Sequence, residues 1–401
     1  MSNFIKIQDR KIVLVICALI FIVSAAFCIW TGNQTSWPDE SVYIGIAERL
    51  VAGLGFTNEA FQPSAFRPPG YPFALSLIYQ IHESVLLAKF VNVLALMATA
   101  WLLSLIVKAV APSGRIFAPL LVLIYPLFMY TSSVLVPQIL GSFMFVLVVY
   151  WLIQYPQSKA YSVASGITLG ALILTIPSFA LVFICLTVLL IIANRVARLY
   201  SAKYIALFFF ATILVVAPWV VRSSFLFDKF VFISTNSGIN LLYGNSENAE
   251  YDTGVVDISK YSNTEGLNEA EVDGYYKKSA IGWVTNHPVD AAGLYLQKVA
   301  NYFNYKNKIS TATEGSFFKN ALMFLSYYPL LIVVVIRCTL WRKYKFTWPE
   351  LLLYILYFGN AFLSAVVYTR LRYRIPFDFL LVAMVSIFIG HLRASKLGKT
   401  V

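Results

Sequence analysis

Long apolar runs, short basic turns and two long polar segments alternate along the chain. The apolar runs, each near the roughly 20 residues that a helix needs to cross a bilayer, lie at 12–30, 84–107, 116–131, 137–154, 161–176, 178–193, 204–221, 318–337, 348–367 and 375–392. The polar segments cover about 31–83 and 222–317, called here the first and second polar segments. This pattern predicts an all-α polytopic integral membrane protein with about ten transmembrane helices, give or take one.

The first polar segment has the periodicity of helices that lie along a membrane surface. Its apolar residues recur at helical spacing, namely at Val42, Ile46, Leu50 and Leu54. They predict an interfacial helix over 41–54, ended by Gly53 and Gly55. Asp39 and Glu40 would lie in its first turn, where the helix dipole favours anions. A second amphipathic helix is expected after Pro72.

The second polar segment is expected to form a small domain of its own. Dense Asn and Gly residues over 234–245 indicate tight turns, a polar helix is predicted over 268–284, and an amphipathic stretch over 294–308 is expected to rest on the membrane. The acidic residues here are interpreted as a solvated face, and they include Asp252, Asp257, Glu269, Glu271 and Asp273.

Basic residues orient the chain in the membrane. Lys and Arg occur before the first apolar run and in the turns near 108–115, 159, 195–203, 337–345 and 393–399. Because such residues are retained in the cytoplasm, these turns and both termini are predicted to be cytoplasmic, while both polar segments face outward from the inner (plasma) membrane. Of the 19 acidic residues, only Asp9 and Glu350 then fall on the cytoplasmic side.

This topology divides the chain into three parts. An N-terminal transmembrane module is predicted over 1–221 and contains the first polar segment. The small outer domain follows over 222–317, and a C-terminal transmembrane module covers 318–401.

Composition supports a membrane protein and limits its partners. With 59% hydrophobic and 12% charged residues, the chain needs the bilayer as part of its solvent. The net charge of +12 follows the membrane topology, so no nucleic-acid partner is expected. His82, His287 and His391 lie far apart without metal-ligand spacing, and the four cysteines fall in or beside apolar runs. Neither a metal site nor a cofactor is therefore predicted.

Several short motifs follow one another in a distinctive order. The first polar segment contains Trp37-Pro38-Asp39-Glu40-Ser41 and Arg67-Pro68-Pro69-Gly70-Tyr71-Pro72. The later motifs are Tyr125-Pro126 with Ser132-Ser133 and Pro137, Ala217-Pro218-Trp219 with Arg222, Ser234-Thr235-Asn236 with Gly238 and Asn240, and Tyr373-Arg374-Ile375-Pro376. Their order resembles that of the bacterial GT-C class membrane glycosyltransferases, in particular the protein O-mannosyltransferase and aminoarabinose-transferase superfamily.

The resemblance implies that a sugar is transferred from a polyprenyl-phosphate donor to an acceptor hydroxyl at the outer face of the membrane. The acceptor would be a lipid-linked glycan, a polysaccharide or a protein. Family members place the Asp of the first outer loop at the catalytic centre, which implies Asp39, and a carboxylate base suits a hydroxyl acceptor. Glu40 is a second candidate for a direct role. Arg67, which precedes the two prolines, would hold the donor phosphate bidentately.

Three further arginines are candidates for phosphate binding. Arg370, Arg372 and Arg374 lie between two apolar runs on the predicted outer side, against the usual distribution of positive charge. A compensating anion is therefore expected, and a lipid phosphate would serve. Alternatively, they pair with Asp378, Glu83 or lipid headgroups.

A substrate pocket is expected to include the aromatic and polar residues of these motifs, namely Trp37, Tyr43, Tyr71, Gln138, Arg222, Asn236 and Tyr243. Gln138 departs from relatives, which usually carry an acidic residue in the second outer loop. The protein would then manage without this acid or use Glu40 in its place. As an alternative to a catalytic role, Asp39 and Glu40 could simply cap the helix that they begin.

Two other functions compete with glycosyl transfer. One is a flippase or transporter for lipid-linked glycans, or a polysaccharide polymerase. A transporter should carry ionisable residues near mid-membrane, whereas these apolar runs are almost free of charge. The other is a catalytically inactive relative that binds lipid-linked sugar, which the departure at Gln138 keeps open.

Overall fold

A computed structural model describes residues 2–252, 254–307 and 316–396 of the protein, with side chains from residue 8 onward. Within these ranges the chain forms sixteen α-helices and two single-turn 3-10 helices, and no strand. The helices are α1 (Ser2–Thr31), α2 (Pro38–Val51), α3 (Gly70–Ile81), α4 (Val85–Val110), α5 (Phe117–Leu123), α6 (Pro126–Ser132), α7 (Gln138–Gln154), α8 (Lys159–Thr175), α9 (Phe179–Ala197), α10 (Ala202–Phe227), α11 (Ser237–Gly244), α12 (Glu269–Asn286), α13 (Pro288–Tyr302), α14 (Phe317–Thr339), α15 (Trp348–Ala365) and α16 (Leu371–Lys396).

The all-α polytopic fold is confirmed, and each predicted apolar run coincides with helix. In the described ranges six helices are long and apolar enough to span a membrane: α1, α4, α9, α10, α14 and α16. The run predicted at 116–131 is broken into α5 and α6, which meet at 60° because Pro126 starts a new helix. The helices α7 and α8 are apolar but shorter, so the number of ten spans stays a prediction.

Helix α16 forms the centre of the bundle. It packs against α4, α5, α7, α14 and α15, and it is buried along nearly its whole apolar length. Stacked aromatic rings hold it, with the Phe128 and Phe379 centroids 3.8 Å apart and those of Phe179 and Phe377 5.5 Å apart. Three of the arginines predicted to bind phosphate, Arg370, Arg372 and Arg374, therefore begin or immediately precede this enclosed helix.

The first polar segment contains the two predicted amphipathic helices, α2 and α3. Helix α2 starts at Pro38, a residue suited to the first helical position. Asp39 and Glu40 lie in its first turn, as expected. After α2, Gly53 and Gly55 adopt φ of 75° and 74°, a conformation that favours glycine. The chain can thus turn back beside α2.

The turns predicted over 234–245 are confirmed only before α11, because residues 235–236 form a turn whereas Ser237–Gly244 is helical. Gly238 allows α11 to approach α12 closely, since its N–H donates to Asp273 at 2.5 Å. A Cβ atom at Gly238 would collide with the carbonyl group of Asp273. Gly238, which the sequence pattern assigned to a turn, thus allows two helices to pack closely.

The prediction that the acidic residues of the second polar segment form a solvated face is only partly confirmed. Asp273 and Asp252 are buried, and Glu269 accepts three hydrogen bonds from other segments. Exposed acids such as Asp257 fit the prediction.

The amphipathic stretch predicted over 294–308 corresponds to α13, which starts earlier, at Pro288. It packs against α15. Lys308, the predicted end of this stretch, lies outside the described residues. Helix α10 continues to Phe227, past the predicted boundary at 221, and the three-part division of the chain stays a prediction.

Candidate active site

Asp39 joins two segments that are far apart in sequence. Its Oδ1 atom lies 2.7 Å from Nη2 of Arg67, and its Oδ2 atom lies 2.8 Å from Nη1 of Arg372. Asp39 and Arg372 are 333 positions apart. The start of α2 is thereby tied to the start of the central helix α16. Each of these three side chains is 20–25% exposed, so the cluster is open to a ligand.

This cluster contains more positive than negative charge. Each arginine gives Asp39 one short hydrogen bond, and the Nε atoms of Arg67 and Arg372 are buried without a partner among the described residues. Burial raises the pKa of Asp39, but the charges and hydrogen bonds of Arg372 and Arg67 outweigh burial, so its pKa lies below the usual value. The carboxylate is ionised, and among the described residues each guanidinium keeps a buried Nε–H group without a partner, which an anion can reach once the side chain rotates.

Aromatic rings surround the two arginines. The guanidinium carbon of Arg67 lies 5.6 Å from the ring centroid of Tyr43, and that of Arg372 lies 5.0 Å from the ring centroid of Tyr373. Tyr71 packs edge-on against Tyr43 at 5.2 Å. Burial raises the pKa of Tyr43 to about 12, so its phenol stays neutral. These rings limit how far the arginine side chains can move.

A chain of hydroxyl groups links Arg372 to the second polar segment. Nη2 of Arg372 donates to the Tyr373 hydroxyl at 3.0 Å, which lies 3.1 Å from the Tyr368 hydroxyl. Tyr368 in turn donates to Oδ1 of Asn240 on α11 at 3.0 Å. The sequence pattern did not identify Tyr368, Tyr373 or Asn240 as site residues, although Tyr373 and Asn240 each belong to a motif. No spacing signal could have linked Tyr368 to Asn240.

Glu40, the neighbour of Asp39, is directed into the protein. It is fully buried, and its carboxylate accepts backbone N–H groups from Ser36, Trp37 and Leu135 at 2.6, 2.7 and 2.8 Å. Glu40 thus joins the start of α2 to the turn before α7. This is the capping alternative, and it involves only one of the two carboxylates.

The three arginines near the start of α16 are not equivalent. Arg374 is buried and pairs with Asp378 at 2.9 Å, as the alternative interpretation proposed for this group. It also lies over the Tyr327 ring at 3.7 Å. Arg370 lies against Gly254 and 5.8 Å from the Tyr368 ring centroid. Among the three, only Arg372 contacts Asp39.

The remaining predicted pocket residues have separate contacts. Trp37 donates to the Tyr130 hydroxyl at 2.9 Å, and Asn236 accepts from Ser234. Arg222 donates to the Ser64 carbonyl at 2.7 Å. Gln138 is buried at the start of α7, and Tyr243 lies half-buried on α11. Their roles in substrate binding stay predictions.

A cavity of about 450 Å³ opens beside Arg67. It lies between α2 and the chain that follows it, and its polar lining includes Arg49, Asn58, Ser64, Arg67 and Glu269. Glu269 accepts from the Ser64 hydroxyl at 2.7 Å and from the Thr235 hydroxyl at 3.1 Å. Arg67 therefore contacts Asp39 and also lines this cavity.

The residues around Asp39 do not form a set of ligands for a divalent cation. In the part of the chain that the structure describes, no three His, Cys, Asp or Glu side chains gather at one place. Such cations bind several oxygen or nitrogen ligands, whereas the Asp39 carboxylate faces two guanidinium groups. These residues suit an anion instead.

The helices and their packing define a multi-pass membrane protein with the GT-C fold that the order of motifs predicts. No protein-family model matches the sequence, and a search of curated proteins finds no match. Among solved structures, the oligosaccharyltransferase AglB from Archaeoglobus fulgidus, in complex with an inhibitory peptide and a dolichol-phosphate, is similar over 98% of this chain and 51% of its own. The TM-score is 0.61 and the sequence identity 14%.

Two further solved structures are similar. An oligosaccharyltransferase from the same archaeon in the apo form covers 99% of this chain and 52% of its own, with a TM-score of 0.59 and 13% identity. The structure of ArnT from Cupriavidus metallidurans, bound to undecaprenyl phosphate, is similar over 96% of this chain and 78% of the ArnT chain, with a TM-score of 0.45 and 14% identity. This chain spans about half the length of the oligosaccharyltransferases. At these identities the similarity concerns the fold.

Proposed function

We propose that this protein is a glycosyltransferase that moves a sugar from a polyprenyl-phosphate donor to an acceptor hydroxyl. The reaction takes place at the outer face of the inner membrane. The single observation that carries the proposal is Asp39, held between Arg67 and Arg372, with a cavity beside Arg67. This arrangement provides a carboxylate for the acceptor and positive charge for the leaving group.

The donor phosphate is assigned to Arg67 and Arg372. Both carry an Nε atom that has no partner in the described part of the chain, and guanidinium groups bind phosphate through paired N–H donors. Arg370, whose Nε also lacks a partner within the described ranges, is a third candidate. Arg374 is assigned a structural role because its pairing with Asp378 buries it. The solved AglB structure with a dolichol-phosphate supports a lipid phosphate as a ligand of this fold.

The acceptor hydroxyl is assigned to Asp39. As the oxygen of the acceptor hydroxyl attacks the anomeric carbon, the hydroxyl proton passes to the Asp39 carboxylate. The bond between the anomeric carbon and the phosphate oxygen breaks, with inversion, and the two arginines stabilise the negative charge that develops on the departing polyprenyl phosphate. The cavity beside Arg67, of about 450 Å³, has room for the sugar group of the donor.

The positions of buried charges favour an enzyme over a transporter. Buried Lys89 lies near the start of α4 and donates to the Gly32 and Gln34 carbonyls. Arg337 and Glu350 pair at 3.1 Å, near the end of α14 and the start of α15. These groups lie near helix ends, whereas a transport route calls for ionisable groups near mid-membrane.

The test is turnover by the purified protein with a panel of polyprenyl-phosphate sugars, measured as release of polyprenyl phosphate. Wild-type protein should release it, and Asp39→Asn should reduce the rate by at least about a hundredfold because the base is lost. Glu48→Gln removes a carboxylate from an exposed position on the same helix and should leave the rate unchanged. Full activity of Asp39→Asn would exclude the assigned role. Binding without turnover in the wild type would favour an inactive relative.

A further inference from the structure

The two hydrogen bonds of Asp39 occupy the arginine groups that the donor phosphate is proposed to use. Arg67 and Arg372 approach opposite oxygens of one carboxylate. Among the described residues each keeps a buried Nε atom without a partner, so neither guanidinium is saturated. A carboxylate and a phosphate oxygen accept the same N–H groups in similar geometry. They are therefore competitors for this position.

We propose that Asp39 acts as an internal anion that holds the phosphate-binding arginines until the donor phosphate displaces it. Displacement then frees the carboxylate for the acceptor hydroxyl. This inference rests on the proposed function and adds that the base becomes available only when the donor is bound. A site with two arginines and one carboxylate carries one net positive charge, which a singly charged phosphodiester neutralises.

Displacement would also strengthen the base. Two guanidinium groups stabilise the ionised carboxylate and so weaken it as a proton acceptor. When their N–H groups turn to the phosphate, part of that stabilisation is lost. The rings of Tyr43 and Tyr373 lie beside the arginines and keep the guanidinium groups near Asp39. The phosphate can therefore replace the Asp39 carboxylate by rotation of side chains, without movement of helices.

The inference predicts that removing the charge of Asp39 improves phosphate binding. The probe is undecaprenyl phosphate, titrated into detergent-solubilised full-length protein, with undecaprenol as the probe that lacks phosphate. Asp39→Asn should bind undecaprenyl phosphate roughly tenfold more tightly than the wild type, the order of one charge-assisted hydrogen bond. Glu48→Gln, which removes a carboxylate elsewhere on α2, should change the affinity less than twofold. Undecaprenol should bind all three proteins equally.

A double-variant comparison tests whether the gain comes from the arginines. In an Arg372→Ala background, Asp39→Asn should give a clearly smaller gain, because one of the two competing contacts is already absent. Asp39→Ala serves as a second neutral variant, and the unfolding midpoint of each protein shows that it is folded. Unchanged or weaker binding by both neutral variants would overturn the displacement.

The outcomes separate this inference from the proposed function. If the wild type turns over a polyprenyl-phosphate sugar but Asp39→Asn binds undecaprenyl phosphate no more tightly, only the displacement is overturned. If neither the wild type nor Asp39→Asn binds undecaprenyl phosphate, both the donor class and the displacement are overturned.

Discussion

Two adjacent carboxylates of the same helix turn have different environments. Asp39 is a quarter exposed and faces two arginines, whereas Glu40 is fully buried and accepts three backbone N–H groups. Consecutive residues of a helix point about 100° apart, so the first turn directs one carboxylate towards the site and the other into the bundle. We therefore expect their substitution to affect different properties.

Glu40→Gln should destabilise the folded protein by about 2–4 kcal/mol, because the amide NH₂ group replaces an acceptor and leaves buried N–H donors without a partner. The measurement is the thermal or denaturant midpoint in detergent. Asp39→Asn is the matched control, and it should shift the midpoint much less while abolishing turnover. Equal stability of Glu40→Gln and wild type would contradict a structural role for the three hydrogen bonds of Glu40.

Arg372 and Arg374, two positions apart at the start of α16, likewise have different environments. Arg372 is a quarter exposed at Asp39, while Arg374 is enclosed with Asp378 and donates to the carbonyls of Tyr302 and Asn304 at 2.7 Å each. The two side chains leave the start of α16 in different directions. Of these two arginines, only Arg372 contacts Asp39.

At the scale of elements, helix α13 supports the segment that leads into α16. Buried Lys298 donates to the Val367 carbonyl at 2.9 Å and to Oδ1 of Asn245 at 3.1 Å. The Thr369 hydroxyl donates back to the Lys298 carbonyl at 3.0 Å. This support positions the residues just before Arg370 and Arg372. Burial lowers the pKa of Lys298 to about 8.

The lowered pKa predicts how the contribution of Lys298 depends on pH. Between about pH 8 and its unfolded value near 10.4, the unfolded chain holds a proton that the folded chain lacks, so rising pH favours folding. From pH 7.5 to 9, the wild type should gain about 1 kcal/mol of unfolding free energy relative to Lys298→Met. Lys278→Met, at an exposed position, should show no such trend. A difference that stays constant with pH would contradict this assignment.

At the scale of the whole molecule, the close packing of α16 depends on small residues. A Cβ atom at Gly390 would lie 2.8 Å from the Gly114 nitrogen and 2.9 Å from the Ala111 carbonyl oxygen. Backbone atoms at these distances cannot rotate away. The turn at 112–114 and the end of α16 therefore fit only if both glycines are kept.

Gly390→Ala should lower the unfolding free energy by about 1–3 kcal/mol, the usual cost of overpacking, as measured by the unfolding midpoint in detergent. Gly359→Ala is the matched control, since a Cβ atom at Gly359 of the neighbouring helix α15 would meet nothing within 4 Å. It should be neutral or slightly stabilising because alanine favours helix. Equal midpoints for the two variants would argue against the tight contact at α16.

The sequence by itself determined the all-α membrane class, the approximate limits of most helices and the place of Asp39 in the first turn of α2. These features depend on the length and periodicity of apolar runs and on residues near one helix end, and neighbouring residues suffice to specify them. The broken helix at α5 and α6 and the short helix α11 were missed, because proline and glycine have different effects in different packing environments.

Only the tertiary structure decided which residues meet. The contact between Asp39 and Arg372 spans 333 positions, and the separate environments of Asp39 and Glu40, or of Arg372 and Arg374, depend on what packs against each side of a helix. The sequence around a charged residue looks the same whether its side chain pairs inside the bundle or faces a ligand. The partner that decides its role comes from a distant segment, and packing of the whole molecule brings that segment into place.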